Sequence, residues 1–486
     1  VTLDDLLARC GEPPRAAVTI TGLTADSRAV RHGFLFAALP GARTNGARFI
    51  PAAVGAGAAA ILAPRGTAWP DATPRLPLVE SDDPRALLAH LAAAFHGAQP
   101  EVVVAVTGTN GKTSTVDFLR QILAGTGHRA ASLGTLGLVA DGFPPGESLT
   151  TPDPVALHAR MAELARAGVT HLAMEASSHG LDQRRLDGVR LAAAGFTNLT
   201  RDHLDYHRTM QAYRAAKLRL FEALLPPGAP AVLHTEMEAG TLAALRAIVA
   251  RRSLRGVEVG EAGRDIRLLA QAPLPRGQRL VLDVMGARAE VEVGLPGRFQ
   301  ADNLLLAMGL ALSLGVPRNA LLALLPALKG VRGRMELAAT LPNGAAVYVD
   351  YAHTPDALSR LLVALRPHVA PGARLHVLFG AGGDRDPGKR PLMGAAAAAA
   401  DLVWVTDDNP RSEDPAAIRA AVLAAAPGAR DAGAREPAIA AALAALGPGD
   451  VLAVAGKGHE SGQTIAGVTQ PFDDVEVVRR LAGGGA

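Results

Sequence analysis

Seven residues, Thr107-Gly108-Thr109-Asn110-Gly111-Lys112-Thr113, constrain this chain more than any other stretch. They follow the apolar run Val102 to Val106 and precede a helical pattern from Ser114 to Leu123. Strand, glycine loop, Lys-Thr and helix, in that order, is the layout of a phosphate-binding loop. Backbone N–H groups at a helix N-terminus face an anion, Lys112 adds a point charge, and Thr113 offers a hydroxyl to Mg²⁺. The spacing is not the standard G-x-x-x-x-G-K, which would place glycine at Val106. It reads as a shortened variant that points to a nucleotide without fixing the reaction. Gly108, Thr109, Asn110, Gly111, Lys112, Thr113 and Ser114 are the candidate nucleotide contacts. A plain glycine turn before a surface helix would leave the Lys-Thr pair unexplained.

At 486 residues the chain is too long for one ordinary core, so several domains are expected. Composition is 49% hydrophobic and 20% charged, as in globular proteins, and with 3% aromatics the cores should be aliphatic. A net charge of +3, with basic residues scattered, argues against nucleic acid as a partner. Cys10 is the sole cysteine, which excludes an intrachain disulfide and suits a reducing compartment. Asp4 and Asp5 stand where a signal peptide would be basic, and no apolar run reaches membrane-spanning length. These features predict a cytoplasmic protein without membrane insertion.

Hydrophobic patterning divides the chain into three α/β regions. Residues 1–98 read as a small N-terminal α/β domain, with helices over Leu3–Leu7, Ala52–Ala58 and Pro84–Phe95 and strands over Gly33–Leu39 and Ala59–Ala63. Gly22 to Arg28 reads as turn-rich. Asp26-Ser27-Arg28 and Arg43-Thr44-Asn45-Gly46 are polar clusters at strand ends; Arg28 beside a hydroxyl suits a phosphate or carboxylate, and equally an ordinary surface turn. Residues 99–331 alternate strand and helix around the phosphate loop, which predicts a mostly parallel sheet covered on both faces. Asp153 is placed to cap a helix opened by Pro154 and running to about Ala167. The strand Thr170–Ala176 is apolar except for Glu175 near its carboxyl end, where a Mg²⁺-ligating acid is expected beside a phosphate loop. Ser177 to Arg185 reads as a loop, Leu191–Asn198 as a strand, and Met210–Leu225 as a helix containing Lys217. Residues 255–295 read as antiparallel strands with turns at Pro273 and Gly286. Residues 332–486 form a second doubly wound domain, whose strands end in polar loops at Asp350 to Thr354, Gly380 to Arg390, Asp407 to Asp414 and Gly456 to Gln463. Ligands of open α/β sheets bind at that edge.

In order along the chain, these segments resemble the Mur ligases, ATP-dependent amide-bond-forming enzymes of peptidoglycan precursor synthesis. The resemblance rests on the loop 107–114, Leu149 to Pro154, Met174 to Arg185, Asn198 to Tyr206, Gly333-Arg334-Met335-Glu336, Asp350 to Pro355, Gly382 to Pro391, Asp408-Asn409-Pro410-Arg411 and Gly456 to Gln463. It covers nearly the whole chain. It implies an N-terminal domain for a UDP-linked substrate, a central P-loop ATPase-like domain, and a C-terminal Rossmann-like domain for the incoming amino acid. It also implies attack of a substrate carboxylate on the γ-phosphate of ATP, then displacement of phosphate from the acyl phosphate by an amine. The first step brings anions together, so charge neutralisation should dominate.

The resemblance assigns roles residue by residue. Lys112, Glu175, His203 and Lys217 are the implied catalytic group, and Thr113, Glu175, His203 and Lys217 the implied Mg²⁺ ligands, Lys217 as a carbamate formed with CO₂. Asn303, Arg334 and Asp350 should meet the adenine, phosphates and ribose. For UDP-N-acetylmuramoyl-L-alanyl-D-glutamate the matching positions are Ser27, Arg28, Ala42, Arg43, Thr44, Thr150, Thr151, Ser177, Gln183 and Arg185. For the amine they are Arg385, Asp408, Asn409, Pro410, Arg411, Gly456 and Glu460. The sequence Asp-Asn-Pro-Arg is the pattern of the meso-diaminopimelate-adding branch: a second carboxylate needs a cation, and Arg411 can grip it with two N–H groups. L-Lysine or L-ornithine would present no such carboxylate, whereas Glu460 suits the distal ammonium. A monomer is implied.

Some positions depart from the family pattern. Gln300 stands where asparagine is usual, Arg332 replaces a proline, Asn45-Gly46 replaces Asp-Gly, and Leu149 replaces an asparagine. Val232 to Glu236 lacks the usual asparagine and paired aspartates. Folylpolyglutamate synthase shares the core logic but lacks both the separate first domain and the Asp-Asn-Pro-Arg loop. A P-loop nucleotide switch would leave the C-terminal polar loops without a purpose.

Overall fold

A computed structural model describes residues 1–41, 44–144, 149–274 and 276–483. It divides into two compact units, Val1–Val259 with Leu306–Val316, and Gly260–Leu305 with Pro317–Ala486.

The first unit opens with a four-stranded parallel sheet in sequential order: β1 (Gly22–Thr24), β2 (Phe34–Ala37), β3 (Ala60–Pro64) and β4 (Leu78–Ser81). Alternate side chains feed two apolar clusters. Leu35, Ala37 and Leu62 join Leu3, Leu6 and Leu7 on one face, while Phe36, Ile61 and Ala63 join Ile50 and Ala53 on the other. The segment expected to be turns thus contributes β1, whose three residues are too few to show a period; Leu23 is buried and Asp26 caps a 3₁₀ turn over Ser27–Ala29.

The second sheet of this unit carries β5 (Val102–Thr107), β6 (Ala130–Gly134), β7 (Gly137–Val139), β8 (His171–Glu175), β9 (Ala193–Phe196), β10 (Pro230–His234) and β11 (Arg255–Gly260). Their order is β11-β10-β9-β5-β8-β6-β7, parallel except for β7. β5 therefore lies between strands reached by crossovers in opposite directions, and the crevice beyond its carboxyl end is where such sheets bind ligands. Asp153 caps the helix Pro154–Arg166, accepting from Val155 N at 3.0 Å and Ala156 N at 3.1 Å. Ser177 to Arg185 is not all loop. Ser177 Oγ accepts from Gly180 N at 3.0 Å and starts a short helix, Ser178–Asp182. The helix bearing Lys217 runs Met210–Arg219, then widens into a π turn over Leu220–Leu224.

The second unit contains an antiparallel set, β12 (Ile266–Leu274), β13 (Gly277–Val284) and β14 (Ala287–Val293). Pro273 lies inside β12 opposite Gln278, so the reversal comes later, between Leu274 and Gly277. Its larger sheet has β15 (Glu336–Thr340), β16 (Ala346–Asp350), β17 (Leu375–Phe379), β18 (Leu402–Thr406), β19 (Arg430–Gly433) and β20 (Val451–Ala455), with a hairpin of β21 (Gly462–Ile465) and β22 (Val468–Pro471) beyond. The order β15-β16-β20-β17-β18-β19 is parallel but for β15, the doubly wound arrangement expected. Tyr348, Val377, Val405 and Ala453 pack on one face, and Val347, Leu378, Trp404 and Leu452 on the other. The polar loops leave from the carboxyl ends of β16, β17, β18 and β20.

Candidate active site

The loop after β5 takes a shape that only glycine permits at two points. Gly108 has φ +141°, and a Cβ there would sit 1.8 Å from Thr197 Oγ1; Gly111, at φ +85°, is the left-handed residue from which the helix Lys112–Gly125 starts. Asn198 at the end of β9 clamps the loop: Thr109 N donates to its carbonyl at 2.8 Å and Asn110 N to its Oδ1 at 3.0 Å. Lys112 Nζ donates to the carbonyls of Gly108 and Thr109 at 3.0 and 2.9 Å. Lys217 Nζ reaches the same Gly108 carbonyl at 2.6 Å.

Glu175 ends β8 in full burial and gathers donors. Its Oε1 accepts from Thr113 Oγ1 at 2.9 Å and from Thr135 N at 2.7 Å, and its Oε2 from Thr135 Oγ1 at 3.3 Å. Thr135 Oγ1 in turn shares a hydrogen with Thr150 Oγ1 at 3.1 Å. Thr151 Oγ1 donates to the Glu175 carbonyl at 2.9 Å and accepts from Ser177 N at 3.0 Å. Arg185 donates to the Thr151 carbonyl at 2.7 Å and to Gln183 Oε1 at 2.8 Å. Thr113, Glu175, Thr150, Thr151, Ser177, Gln183 and Arg185, spread over more than seventy positions of sequence, thus form one hydrogen-bonded chain.

Lys217 is 1% exposed, and burial, followed by the charge of Lys112, pushes its ammonium far below the ordinary lysine range. Its Nζ lies 4.6 Å from the centre of the Tyr213 ring, whose hydroxyl bonds Thr109 Oγ1 at 3.1 Å. His203 meets the same ring edge-on, 6.1 Å between centres, and lies in the left-handed region at φ +51°. It is half-exposed, 3.5 Å from Asp202. Its ring meets His179 edge-on at 4.9 Å, and Tyr206 covers His179 at 4.1 Å. Tyr213 therefore links His203 to Lys217 and to the loop.

In the N-terminal sheet, Ser27 and Arg28 follow β1. Arg28 is exposed and forms a two-bond pair with Asp26 at 2.9 and 2.8 Å, which holds the Asp26 carboxyl down at about 2. Thr44 accepts from Gly41 N through its carbonyl at 3.1 Å. Ala42 and Arg43 lie outside the described residues. A cleft lined by Ala25, Leu39, Arg85, Asp153, Gln183 and Arg185 joins the loops of this sheet to the polar chain leading from Glu175.

In the second unit, Asp350 ends β16 and accepts from Met335 N and Ala352 N, both at 2.8 Å. Burial raises its carboxyl above the ordinary range despite the pull of Arg334. The Arg334 guanidinium lies 4.8 Å above the Tyr351 ring. Gln300, the departure from the family pattern, accepts from Asn303 Nδ2 at 3.0 Å and donates to the Arg334 carbonyl at 3.4 Å. It thereby connects two of the expected nucleotide contacts. Arg411, at φ +55°, donates to the Gly383 carbonyl at 2.6 Å. Asn409 donates to Asp408 Oδ1 and to Glu460 Oε2, each at 3.0 Å. Pro410 is buried beside them, and a Cβ on Gly456 would lie 2.8 Å from Asp408 Oδ2. Arg385 approaches Gly382 in the same loop.

Comparison with known proteins identifies this assembly. The Mur ligase middle domain matches residues 106–311, the glutamate ligase domain of Mur ligases residues 333–458, and the Mur ligase family catalytic domain residues 19–96. The chain is 54% identical to UDP-N-acetylmuramoyl-L-alanyl-D-glutamate–2,6-diaminopimelate ligase of Caulobacter vibrioides, over 99% of both chains. It is 51% identical to the ligase of the same name from Brucella melitensis, over 96% of this chain and 94% of that one. A solved structure of a ligase of that name matches with TM-score 0.74 and 32% identity, over 99% of each chain. The chain belongs to the Mur ligase family. Residues to which the sequence assigned no role also contact the candidate site: Thr135 and Asn198, which hold Glu175 and the loop; Tyr213, which meets both His203 and Lys217; and Lys457, buried against Glu460. Thr135 and Asn198 hold groups 40 and 88 positions away, and Lys457 reaches Asn409, 48 positions away, as well as its neighbour Glu460, so local spacing does not show what they hold.

Proposed function

We propose that this Mur ligase joins meso-diaminopimelate to UDP-N-acetylmuramoyl-L-alanyl-D-glutamate with cleavage of ATP to ADP, in peptidoglycan precursor synthesis. The observation that carries the reading is the 54% identity, over nearly the full length of both chains, to a ligase of that name. The substrate carboxylate forms a bond to the γ-phosphorus as the bond to ADP breaks. The amine then bonds to the acyl carbon, loses a proton, and phosphate leaves. We assign residues 1–98 to the UDP substrate, 99–331 to ATP and 332–486 to the amine, in a cytoplasmic monomer.

The donor set fits Mg²⁺. A threonine hydroxyl, a fully buried carboxylate and an imidazole offer oxygen and nitrogen lone pairs around the loop, and an ammonium at Lys217 would oppose a cation. Burial favours the neutral amine, the form that adds to CO₂; a new N–C bond and loss of one proton leave a carbamate anion. Thr113, Glu175, His203 and carbamylated Lys217 would hold the metal, which when bound neutralises phosphate and acyl-phosphate charge. Lys112 and the loop N–H groups bind the β- and γ-phosphates, with Asn303, Arg334 and Asp350 completing nucleotide recognition. Ser27, Arg28, Ala42, Arg43, Thr44, Thr150, Thr151, Ser177, Gln183 and Arg185 bind the UDP-dipeptide. Arg385, Asp408, Asn409, Pro410, Arg411, Gly456 and Glu460 bind the amine, Arg411 taking its second carboxylate.

Incubation of enzyme, ATP and UDP-dipeptide with diaminopimelate, lysine or ornithine separately tests the reading. Phosphate release is expected with diaminopimelate; release only with lysine or ornithine overturns it.

A further inference from the structure

Lys457 has no role in the assignment above, yet its side chain is fully buried. Its position follows from its neighbours. Gly456 at φ +118° and Gly458 at φ +58° turn the chain sharply after β20, and a Cβ on Gly458 would lie 2.6 Å from Tyr351 Cβ. Lys457 is thereby directed under the amino-acid loops. An ammonium taken out of water is tolerated only with close partners. Those of Lys457 are the Gly462 carbonyl at 2.5 Å, Glu460 Oε2 at 3.3 Å and Asn409 Oδ1 at 3.5 Å.

Glu460 Oε2 also accepts from Asn409 Nδ2 at 3.0 Å, so that oxygen is doubly engaged. Its Oε1 has no hydrogen bond among the described residues, and the side chain is 37% exposed. The carboxylate is thus held from beneath by one oxygen and presents the other. Arg385, Lys389 and Arg411 add positive charge to the same cluster, where Asp408 and Asp386 also act on Lys389. Lys457 offsets Glu460, so that this carboxylate does not add to the negative charge that Asp384, Asp386 and Asp408 already set against the three cations.

We propose, on the reading that this site takes a diamino dicarboxylate, that Lys457 is a positioning residue that sets amine specificity. It fixes Glu460 so that Oε1 receives the distal ammonium. It also offsets the charge of Glu460, so that a side chain bringing a further carboxylate is favoured over the bare ammonium of lysine.

The test is steady-state kinetics of the full enzyme with diaminopimelate and with lysine, for wild type, Lys457→Met, Lys457→Gln, Glu460→Gln and the double variant Lys457→Met/Glu460→Gln. Removing the Lys457 charge should raise KM for diaminopimelate about tenfold or more and lower the preference for diaminopimelate over lysine by a similar factor. The kcat and the KM for ATP should stay within about twofold, because the nucleotide loop is untouched. The double variant should have a KM close to that of Glu460→Gln, since both changes remove one interaction. If Lys457→Met does not fold, Lys457→Gln carries the same comparison. Unchanged amine preference, or fully additive effects, would overturn the proposal while leaving the function intact. A wild type that does not use diaminopimelate overturns both.

Discussion

The Glu175 carboxylate has room only because residue 134, at the end of β6, lacks a side chain. A Cβ there would lie 2.1 Å from Glu175 Oε1 and 2.6 Å from its Cδ. Gly134→Ala should therefore displace the group that holds Thr113 and Thr135. A shift of about 1 Å at a catalytic group can cost a hundredfold in rate, so kcat/KM should fall by about that factor while thermal unfolding shows the protein still folded. Full activity in Gly134→Ala would show that the carboxylate position is not critical. Lys217 makes a second test at this scale. Lys217→Ala should lose nearly all activity, bicarbonate should not restore it, and a short-chain carboxylate should restore part by supplying the missing anion. Isotopically labelled bicarbonate should place a carbamate signal on wild type that the variant lacks; activity surviving the substitution would remove Lys217 from the site. The sequence made Lys112, Thr113 and Glu175 legible because each sits at a fixed offset from a strand or a glycine. Gly134 and Thr135 were not legible, because their meaning lies in Glu175, brought up by another strand, and Lys457 was not, because its burial does not show in the residues beside it.

At the scale of elements, the loops that hold the amine candidates rest on a buried ion pair between two helices. Arg435 begins the helix Arg435–Ala444 and Asp474 begins the helix Asp474–Leu481. Both are fully buried and joined by two bonds of 2.7 Å. Arg435 also donates to the Ala455 carbonyl at 3.0 Å and the Asp407 carbonyl at 3.3 Å, the ends of β20 and β18. Breaking such a pair by removing one partner leaves an uncompensated charge and costs about 3–5 kcal/mol, whereas replacing both with well-packed apolar residues can be neutral. Arg435→Leu should lower stability in denaturant by that amount, and Arg435→Leu/Asp474→Leu should recover most of it. The double variant should still lose amine affinity, because the two carbonyl contacts are gone; a stable double variant with unchanged KM for diaminopimelate would dissociate the pair from the site. Most elements were readable from period and caps, Asp153 before Pro154 being the clearest. The elements that were misread are short or irregular: three-residue β1, the five-residue helix after Ser177, and β12 running through Pro273. In each, a tertiary partner or a single cap decides the conformation where local pattern cannot.

For the whole molecule, alternation of strand and helix was enough to predict parallel, doubly wound sheets, and nine motifs in order were enough to name the family. The acid response was not legible, since a histidine's burial does not show in its neighbours along the chain. His158 is 2% exposed, its ring 3.1 Å from the Asp187 carbonyl, and burial pushes it down to about 4. His171 is also pushed down to about 4 by burial, and His368 and His376 are lowered for the same reason. A histidine whose folded value lies below the unfolded one, ordinarily about 6.5, binds its proton more readily when unfolded. Its contribution is therefore intact above about pH 6.5 and is lost as the pH falls from there towards 4. For His158 alone the span from 6.5 to about 4 corresponds to roughly 3 kcal/mol at 1.36 kcal/mol per unit. The unfolding temperature should thus drop steeply across that interval. His158→Gln keeps a donor for the Asp187 carbonyl without a titrating group, so it should flatten the slope while costing some packing at neutral pH. Equal slopes for the two proteins, measured by calorimetry at matched ionic strength, would show that His158 does not govern the acid limb and that carboxylate protonation dominates it.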